Sequence, residues 1–232
     1  MGVAALTYIH IIGGGVFLST NKIDRINLIT YKCQKKKVLR SVRCRYLAKS
    51  HIVNCTAKNQ NFIYANFRGS IFKKVKFQNC KILKCDFWGT TFNDCDFTGA
   101  EISNCVFMAC KFKNCNFSGT TLKYTVIVNT SLAECNHIIC SETTEVYNNY
   151  PKSILTEELV DALEHLKSNK KLRTYKLLYI SNKKYNELNL YLLQRRFSNK
   201  VLSKLLLKLS NRSTKNITTY KKLERELKNI DR

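Results

Sequence analysis

Large apolar side chains occur at every fifth position through the middle of the chain, from Phe62 to Leu132, with no polar residue in the series. A helix repeats about every 3.6 residues and a strand about every 2.0, so a period of five fits neither element. Every fifth residue must therefore return to an equivalent, inward-facing environment. This pattern predicts a coiled solenoid whose apolar positions line the interior.

The positions around each large apolar residue are also restricted. The residue two places earlier is small, often a cysteine, which indicates a position with little space. The residue two places later is often Gly, Asn or Asp, which tolerate a positive φ. These corner positions are Gly69, Asn79, Gly89, Asp94, Gly99, Asn104, Asn114, Gly119 and Asn129. Each five-residue unit is therefore expected to end in a corner.

Blocks such as "CDFWGTTFNDCDFTGA" and "CKFKNCNFSGT" resemble the pentapeptide-repeat family over residues 45–140. The resemblance implies a right-handed quadrilateral β-helix, with four pentapeptides per coil and about four to five coils. The fold class expected is therefore a mainly β solenoid plus α, because amphipathic helical patterns follow the repeat. The expected structural core comprises Phe62, Phe67, Phe72, Phe77, Phe87, Phe92, Phe97, Phe107, Phe112, Phe117, Leu122, Cys95, Cys105 and Cys115.

Nine of the eleven cysteines follow the five-residue period, and only Cys33 and Cys44 do not. Stacked thiols in a solenoid point in parallel and stay about 4.8 Å apart, farther than disulfide geometry prefers. Their spacing also misses the usual zinc patterns, so no metal or other cofactor is predicted. The nine periodic thiols are expected to be interior, reduced and unreactive, with Cys33 and Cys44 labelled first. Reduced thiols favour a cytoplasmic location.

Sequence patterns divide the chain into four segments. They are a basic N-terminal extension or cap at 1–44, the β-helix at 45–140, a linker at 141–155 and an α-helical region at 156–232. Basic residues suggest an irregular first coil, and His137 breaks the apolar series, so the solenoid should finish between about Leu132 and Tyr150. Thr156 is a candidate N-cap for the first of four or five short helices. The apolar residues 1–20 match neither a signal peptide nor a myristoylation motif well.

The chain has 40 Lys and Arg residues against 16 Asp and Glu, a net charge of +24 that favours anionic partners. Most of the excess lies in the two flanks, although the simpler interpretation is a solvated charged surface. The candidate polyanion-binding residues are Lys35, Lys36, Lys37, Arg40, Arg43, Lys73, Lys74, Lys76, Arg195, Arg196, Lys200, Lys204 and Lys208.

Neither a nucleophile beside a base nor a nucleotide-binding motif can be assembled from the sequence, so no enzymatic activity is predicted. The first hypothesis is a scaffold that binds a macromolecular partner, a protein or a polyanion, through the solenoid faces and the basic helical tail. Direct nucleic-acid binding and attachment to an anionic membrane surface are alternatives. The family resemblance adds a topoisomerase-binding DNA mimic, which the positive charge disfavours. The oligomeric state stays open, a dimer included.

Overall fold

The computed structural model describes residues 10–12, 15–17 and 25–232. Most of residues 1–20 lie outside this part of the chain, and so do the expectations about a signal peptide and myristoylation. Strands His10–Ile12 and Gly15–Phe17 pair as an antiparallel hairpin. None of the described helices is both long and apolar enough to cross a membrane.

From residue 25 onwards the chain winds into a parallel β-solenoid of about six turns with four faces. Face 1 comprises the strands Asn27–Ile29, His51–Val53, Ile71–Lys73, Thr91–Asn93 and Lys111–Lys113. Face 2 is a ladder of single bridges through Val38, Thr56, Lys76, Asp96 and Asn116, continued by the strands Cys115–Asn116 and Cys135–Asn136.

The other two faces complete each coil. Face 3 comprises the strands Val42–Arg43, Asn61–Ile63, Lys81–Leu83, Glu101–Ser103, Thr121–Lys123 and Ile139–Cys140. Face 4 begins with bridges through Tyr46 and Asn66 and continues with the strands Asp86–Trp88, Val106–Met108, Val126–Val128 and Glu145–Tyr147.

The register confirms the expected four-faced coil. Phe72 pairs with Phe92, and Phe92 pairs with Phe112, so equivalent residues recur every twenty positions. The Phe72 and Phe92 ring centroids are 5.1 Å apart, and those of Phe92 and Phe112 are 4.8 Å apart. This spacing matches neighbouring strands of a sheet, so the rings stack in a column along the axis.

A residue with positive φ occurs at every fifth position from Lys49 to Asn129. The Gly, Asn and Asp corners expected from the sequence all adopt this conformation. Several corners carry less tolerant residues, including Lys74 at φ 53° and Tyr124 at φ 50°. The coil therefore imposes the left-handed conformation at its corners even on residues for which it costs about 1–2 kcal/mol.

Both ends of the solenoid are irregular and extend beyond the predicted 45–140. Asn27 pairs with His51, a spacing four residues longer than the regular coil. After Leu132 the exposed His137 leaves the core position, and Ile138 packs against the core instead. The last strand, Glu145–Tyr147, lies before Tyr150 as expected, but within the segment predicted as a linker.

The described residues after the solenoid contain five helices and one antiparallel hairpin, here called the helical module. Thr156 occupies the N-cap position of the first helix, although its side chain makes no capping hydrogen bond. The hairpin joins Tyr179–Ser181 to Lys184–Tyr185. The helices are α1 Glu157–Leu166, α2 Lys170–Thr174, α3 Glu187–Gln194, α4 Asn199–Ser210 and α5 Tyr220–Asp231.

The helical module packs against face 4 of the solenoid. The outward-facing residues of this face are apolar and buried, notably Val106, Met108, Val126 and Val128. They share one hydrophobic cluster with the interior of the module. Solenoid and module are therefore joined by a continuous apolar core, because face 4 would otherwise expose these side chains to water.

Candidate anion-binding surface

The structure places all of the predicted core side chains inside the solenoid. Each is at most 6% exposed, and the phenylalanines stack along the axis and contact one another edge to face around each coil. Aromatic pairs in these arrangements add about 0.5–1.5 kcal/mol to the free energy gained by burial. Their role is structural, and the surface that can meet a partner lies outside this core.

Small interior residues make a hydrogen bond that the five-residue period does not reveal. From Ser70 to Thr120, each cysteine, serine or threonine at the small position donates to the carbonyl of the residue 23 positions earlier, one coil below. The Cys85 thiol lies 3.2 Å from the Phe62 carbonyl, and the Thr90 hydroxyl lies 2.9 Å from the Phe67 carbonyl. The small position therefore accepts Cys, Ser or Thr because each can satisfy this buried acceptor.

All eleven cysteines are free thiols. Burial raises the pKa of Cys80 to about 11 and that of Cys110 to about 12. The expectation that all nine periodic thiols lie inside is wrong at the C-terminal end, where Cys140 is exposed and Cys135 is half-buried. Cys135 keeps the regular register opposite Cys115, but it lies on the last described strand of face 2, so no further described strand of that face covers it. Cys140 pairs with Leu122, only 18 residues earlier, so the slip in register takes Cys140 out of the small interior position.

The predicted polyanion-binding residues are exposed but do not form one surface. Lys37 and Lys76 both lie on face 2, on either side of Thr56. Lys73 and Lys74 lie at the adjoining corner with face 1. The remaining members of the N-terminal group are exposed in the first coil, namely Lys35, Lys36, Arg40 and Arg43. A third group, Lys200, Lys204 and Lys208, lies on α4 of the helical module.

Arg195 and Arg196 lie beside the junction between solenoid and module and already contact carboxylates. The Arg195 guanidinium donates to Glu145, in the last strand of face 4. The Arg196 guanidinium lies 3.6 Å from Glu224 of α5. Arg195 therefore links the module to the solenoid, whereas Arg196 belongs to a larger cluster around Glu224.

That cluster lines a groove of about 480 Å³ between α5 and the corner that joins faces 3 and 4. The corner contributes Tyr64, Lys84 and Asn104. Among the described residues that line it, six are basic and only Glu224 is acidic. The basic residues are Lys84, Arg196, Lys221, Arg225, Lys228 and Arg232. Of these, only Arg196 was among the residues predicted from the sequence.

Glu224 holds several of these cations in place. Its carboxylate accepts from the ammonium groups of Lys221 and Lys228, each at 2.8 Å. Burial opposes ionisation of Glu224, but these two hydrogen bonds outweigh it and lower the pKa of the carboxyl group. Because one carboxylate serves three basic groups, the groove keeps a large excess of positive charge.

Three hydrogen bonds fix the start of α5 on the solenoid. The Asn66 side chain donates to the Thr218 carbonyl at 2.9 Å, and the Thr218 hydroxyl donates to the Tyr64 carbonyl at 2.7 Å. The backbone N–H of Tyr220, the first residue of α5, donates to Asp86 at 2.8 Å. The position of α5 beside Lys84 is therefore set by contacts with two consecutive coils.

Asp86 supplies a carboxylate at the junction between face 4 and α5. Burial raises its pKa to about 7, because the hydrogen bond from Tyr220 and the charge of Lys221 only partly offset desolvation. Its second carboxyl oxygen is buried and has no partner among the described residues. Ionised Asp86 therefore destabilises the folded protein through desolvation. The amino end of α5, which favours an anion, offsets part of this effect.

Comparison with known proteins agrees with the repeat geometry. The family model described as pentapeptide repeats matches residues 70–107 and 103–136, with eight copies of the repeat. None of the curated proteins compared with the chain matches it.

Several solved structures are similar to part of the chain. A trypsin-treated form of QnrB1, a plasmid-mediated fluoroquinolone resistance protein, is 14% identical, with a TM-score of 0.41 over 58% of this chain and 77% of that one. A pentapeptide repeat protein from the Arabidopsis thaliana thylakoid lumen is 20% identical, with a TM-score of 0.34 over 54% of this chain and 77% of that one.

The repeat itself identifies the family. Residues 70–136 match the family model, and the same residues form coils with four pentapeptides each. As far as Asn129, each pentapeptide has a buried core side chain at its centre and a left-handed residue at its corner. The chain therefore carries a pentapeptide-repeat β-helix.

Proposed function

We propose that the protein is a non-catalytic scaffold that binds an anionic macromolecule on a basic surface built jointly by the solenoid and the helical module. The observation that carries the proposal is the groove beside α5, where both parts of the chain contribute cations. A surface shared by two packed elements is held in a fixed geometry, whereas scattered surface lysines are not. The rigid solenoid supports such a surface without a catalytic centre.

The distribution of acidic residues favours this proposal over a mimic of DNA. A mimic needs carboxylates gathered on one face, and the candidates in the sequence were Asp86, Asp94, Asp96 and Glu101. Asp86 belongs to face 4 under the module, Asp96 to face 2 and Glu101 to face 3, while Asp94 lies at a corner. Their charges point in different directions, so they form no acidic surface.

The packing of α4 favours this proposal over attachment to a membrane. The leucine stripe that resembled a membrane-surface helix is buried, with Leu202, Leu205 and Leu206 each at most 2% exposed. These leucines pack within the helical module, where α4 contacts α1 and α5. An interfacial helix needs its apolar face free to enter lipid, and this face is already occupied.

Retention on heparin and binding to labelled polyglutamate test the proposal, with neutral dextran as the control polymer. We expect binding to both polyanions at about 50 mM salt and a steep loss of affinity by about 200 mM, as counterion release dictates. Failure to bind either polyanion at low salt would contradict the proposed function.

A further inference from the structure

We infer that the groove between α5 and the Tyr64, Lys84 and Asn104 corner binds the phosphodiester backbone of nucleic acid. This inference rests on the proposed function and specifies both the site and the chemical class of its partner. Four observations support it: the row of cations on α5, the cations that flank this row, the absence of an apolar anchor among the described lining residues, and the buried position of the only ring among them.

Three basic residues of α5 and its C-cap, Arg232, form a row along one side of the helix. Lys221, Arg225, Lys228 and Arg232 follow one another at intervals of four, three and four residues. Residues with this spacing lie one above another, about 5–6 Å apart, so the row extends about 16 Å. A linear array of this kind fits a linear polyanion, whose charges are also regularly spaced, better than one compact anion.

Cations on either side turn this row into a groove. Lys84 approaches from the corner of the solenoid, and Arg196 approaches from the segment after α3. One guanidinium group can donate two parallel hydrogen bonds to a phosphate. The row contributes two guanidinium groups, those of Arg225 and Arg232. A strand lying along α5 would therefore meet positive charge on three sides.

The described residues that line the groove include no exposed apolar side chain. Protein interfaces depend on buried aromatic or aliphatic anchors, and membrane attachment depends on apolar side chains that enter lipid. The groove offers neither, so it fits a phosphodiester backbone better than an acidic protein or a lipid surface. Its volume of about 480 Å³ is that of a binding cleft.

Tyr64 is the only aromatic ring among the described lining residues, and it is 2% exposed. The Lys84 ammonium lies 5.4 Å from its ring centroid, and an Arg225 nitrogen lies 3.5 Å from its hydroxyl. The Lys222 ammonium lies 5.6 Å from the same centroid, so the ring contacts three cations. Because it is buried, it presents no face on which a base could stack. Recognition should depend on phosphate and be indifferent to base sequence.

The test is fluorescence anisotropy of the full chain with a labelled single strand of about 20 nucleotides and with its duplex. The groove variant is Lys84→Glu with Arg225→Glu. The control is Lys49→Glu with Lys113→Glu, which changes the net charge equally and lies outside the groove. Lys49 and Lys84 are both left-handed corner lysines, each at φ 58°, and Lys49 occupies the corner between faces 4 and 1. The two substitutions therefore make matched demands on the backbone.

We expect the groove variant to bind at least about tenfold more weakly. The slope of log affinity against log salt should fall by about 2, because each replaced cation leaves one phosphate without its neutralising charge. The control variant should stay within about threefold of the unmodified protein. Thermal unfolding of all three proteins shows whether each is folded. If the groove variant unfolds, Arg225→Gln with Arg232→Gln, both exposed on α5, replaces it.

Three results would overturn the inference, and they can be told apart. If both variants lose the same affinity for nucleic acid, binding depends on net charge and not on the groove. That result would leave the proposed scaffold function intact. Tighter binding to phosphatidylserine vesicles than to the strand would assign the groove to lipid, and tighter binding to polyglutamate than to the strand at equal charge would assign it to acidic protein. Failure of the unmodified protein to bind any polyanion would remove the proposed function as well.

Discussion

The side-chain amide of Asn66 donates a hydrogen bond to the backbone carbonyl of Thr218, 152 residues later in the chain, at 2.9 Å. Asn66 is 3% exposed and belongs to face 4, whereas Thr218 precedes α5. Because α5 and its C-cap, Arg232, supply four of the six cations of the groove, this hydrogen bond between the solenoid and the module also aligns the candidate site.

Replacing Asn66 with alanine should therefore weaken the attachment of α5 to the solenoid. The Thr218 carbonyl would lose its donor in a buried place, which costs about 1–3 kcal/mol. Chemical unfolding should show this loss, and hydrogen exchange should accelerate at the first turn of α5. Asn61→Ala, at an exposed position of face 3, is the matched control and should change stability by less than about 0.5 kcal/mol. Equal effects of the two substitutions would contradict the assignment.

Phe92 lies in the middle of the stacked column between Phe72 and Phe112, so its truncation leaves a cavity that neighbouring coils cannot close. We expect Phe92→Ala to lower the free energy of unfolding by about 3–5 kcal/mol. Lys113→Ala, at an exposed position of face 1, should cost under about 0.5 kcal/mol. Denaturant titration measures both, and comparable losses would rule out the packed column.

Alkylation of the native protein should separate the thiols by exposure. Cys33 and Cys140 are exposed and should react first, followed by the half-buried Cys44 and Cys135. The six interior thiols from Cys80 to Cys115 should stay protected, because burial limits access and raises the pKa of those such as Cys80 and Cys110. Mass spectrometry over a time course gives the order. Early labelling of any of these six would show that the coils open.

Asp86 should make stability depend on pH. Its pKa rises from an ordinary 3.8 to about 7 in the folded protein, so the folded state holds a proton that the unfolded state has released. Stability should therefore fall as the pH rises from about 4 to about 7. Asp86→Asn should remove this fall and gain at most about 4 kcal/mol relative to the unmodified protein above pH 7.

Urea titrations across this range measure the effect of Asp86. Asp94→Asn, at an exposed corner, provides the comparison because it removes the same charge from the surface. A profile for Asp86→Asn parallel to that of the unmodified protein would mean that Asp86 titrates normally.

The repeat was predictable because its five-residue period has one structural meaning. Phe62 and the residues that follow it at this interval identify the core without knowledge of any contact. The docking of the helical module was not predicted, since it depends on the positions on either side of the core residue. Val106 with Met108, and Val126 with Val128, are apolar where other faces carry polar residues, and this signal could have indicated a covered face.

The groove was harder to predict. Lys84 and Lys228 become neighbours only when the module lies on face 4, and no pattern in the sequence specifies that arrangement. Sequence patterns indicate cations that are clustered along the chain, such as Lys35 to Lys37, but not cations that packing brings together. The change in register after Leu132 was not predicted either. Cys140 keeps the five-residue period in the sequence, although it pairs with Leu122 at a spacing of 18 residues.

The module contacts the solenoid near both ends of face 4, where Asn66 donates to Thr218 and Arg195 donates to Glu145. These anchors lie four strand spacings apart, roughly 19 Å along the axis. A repeat array normally tolerates the gain or loss of a coil, since each coil contacts only its neighbours. Here an added coil between the anchors would move them apart by about 4.8 Å and break one of them. The helical module therefore fixes the number of coils between Asn66 and Glu145.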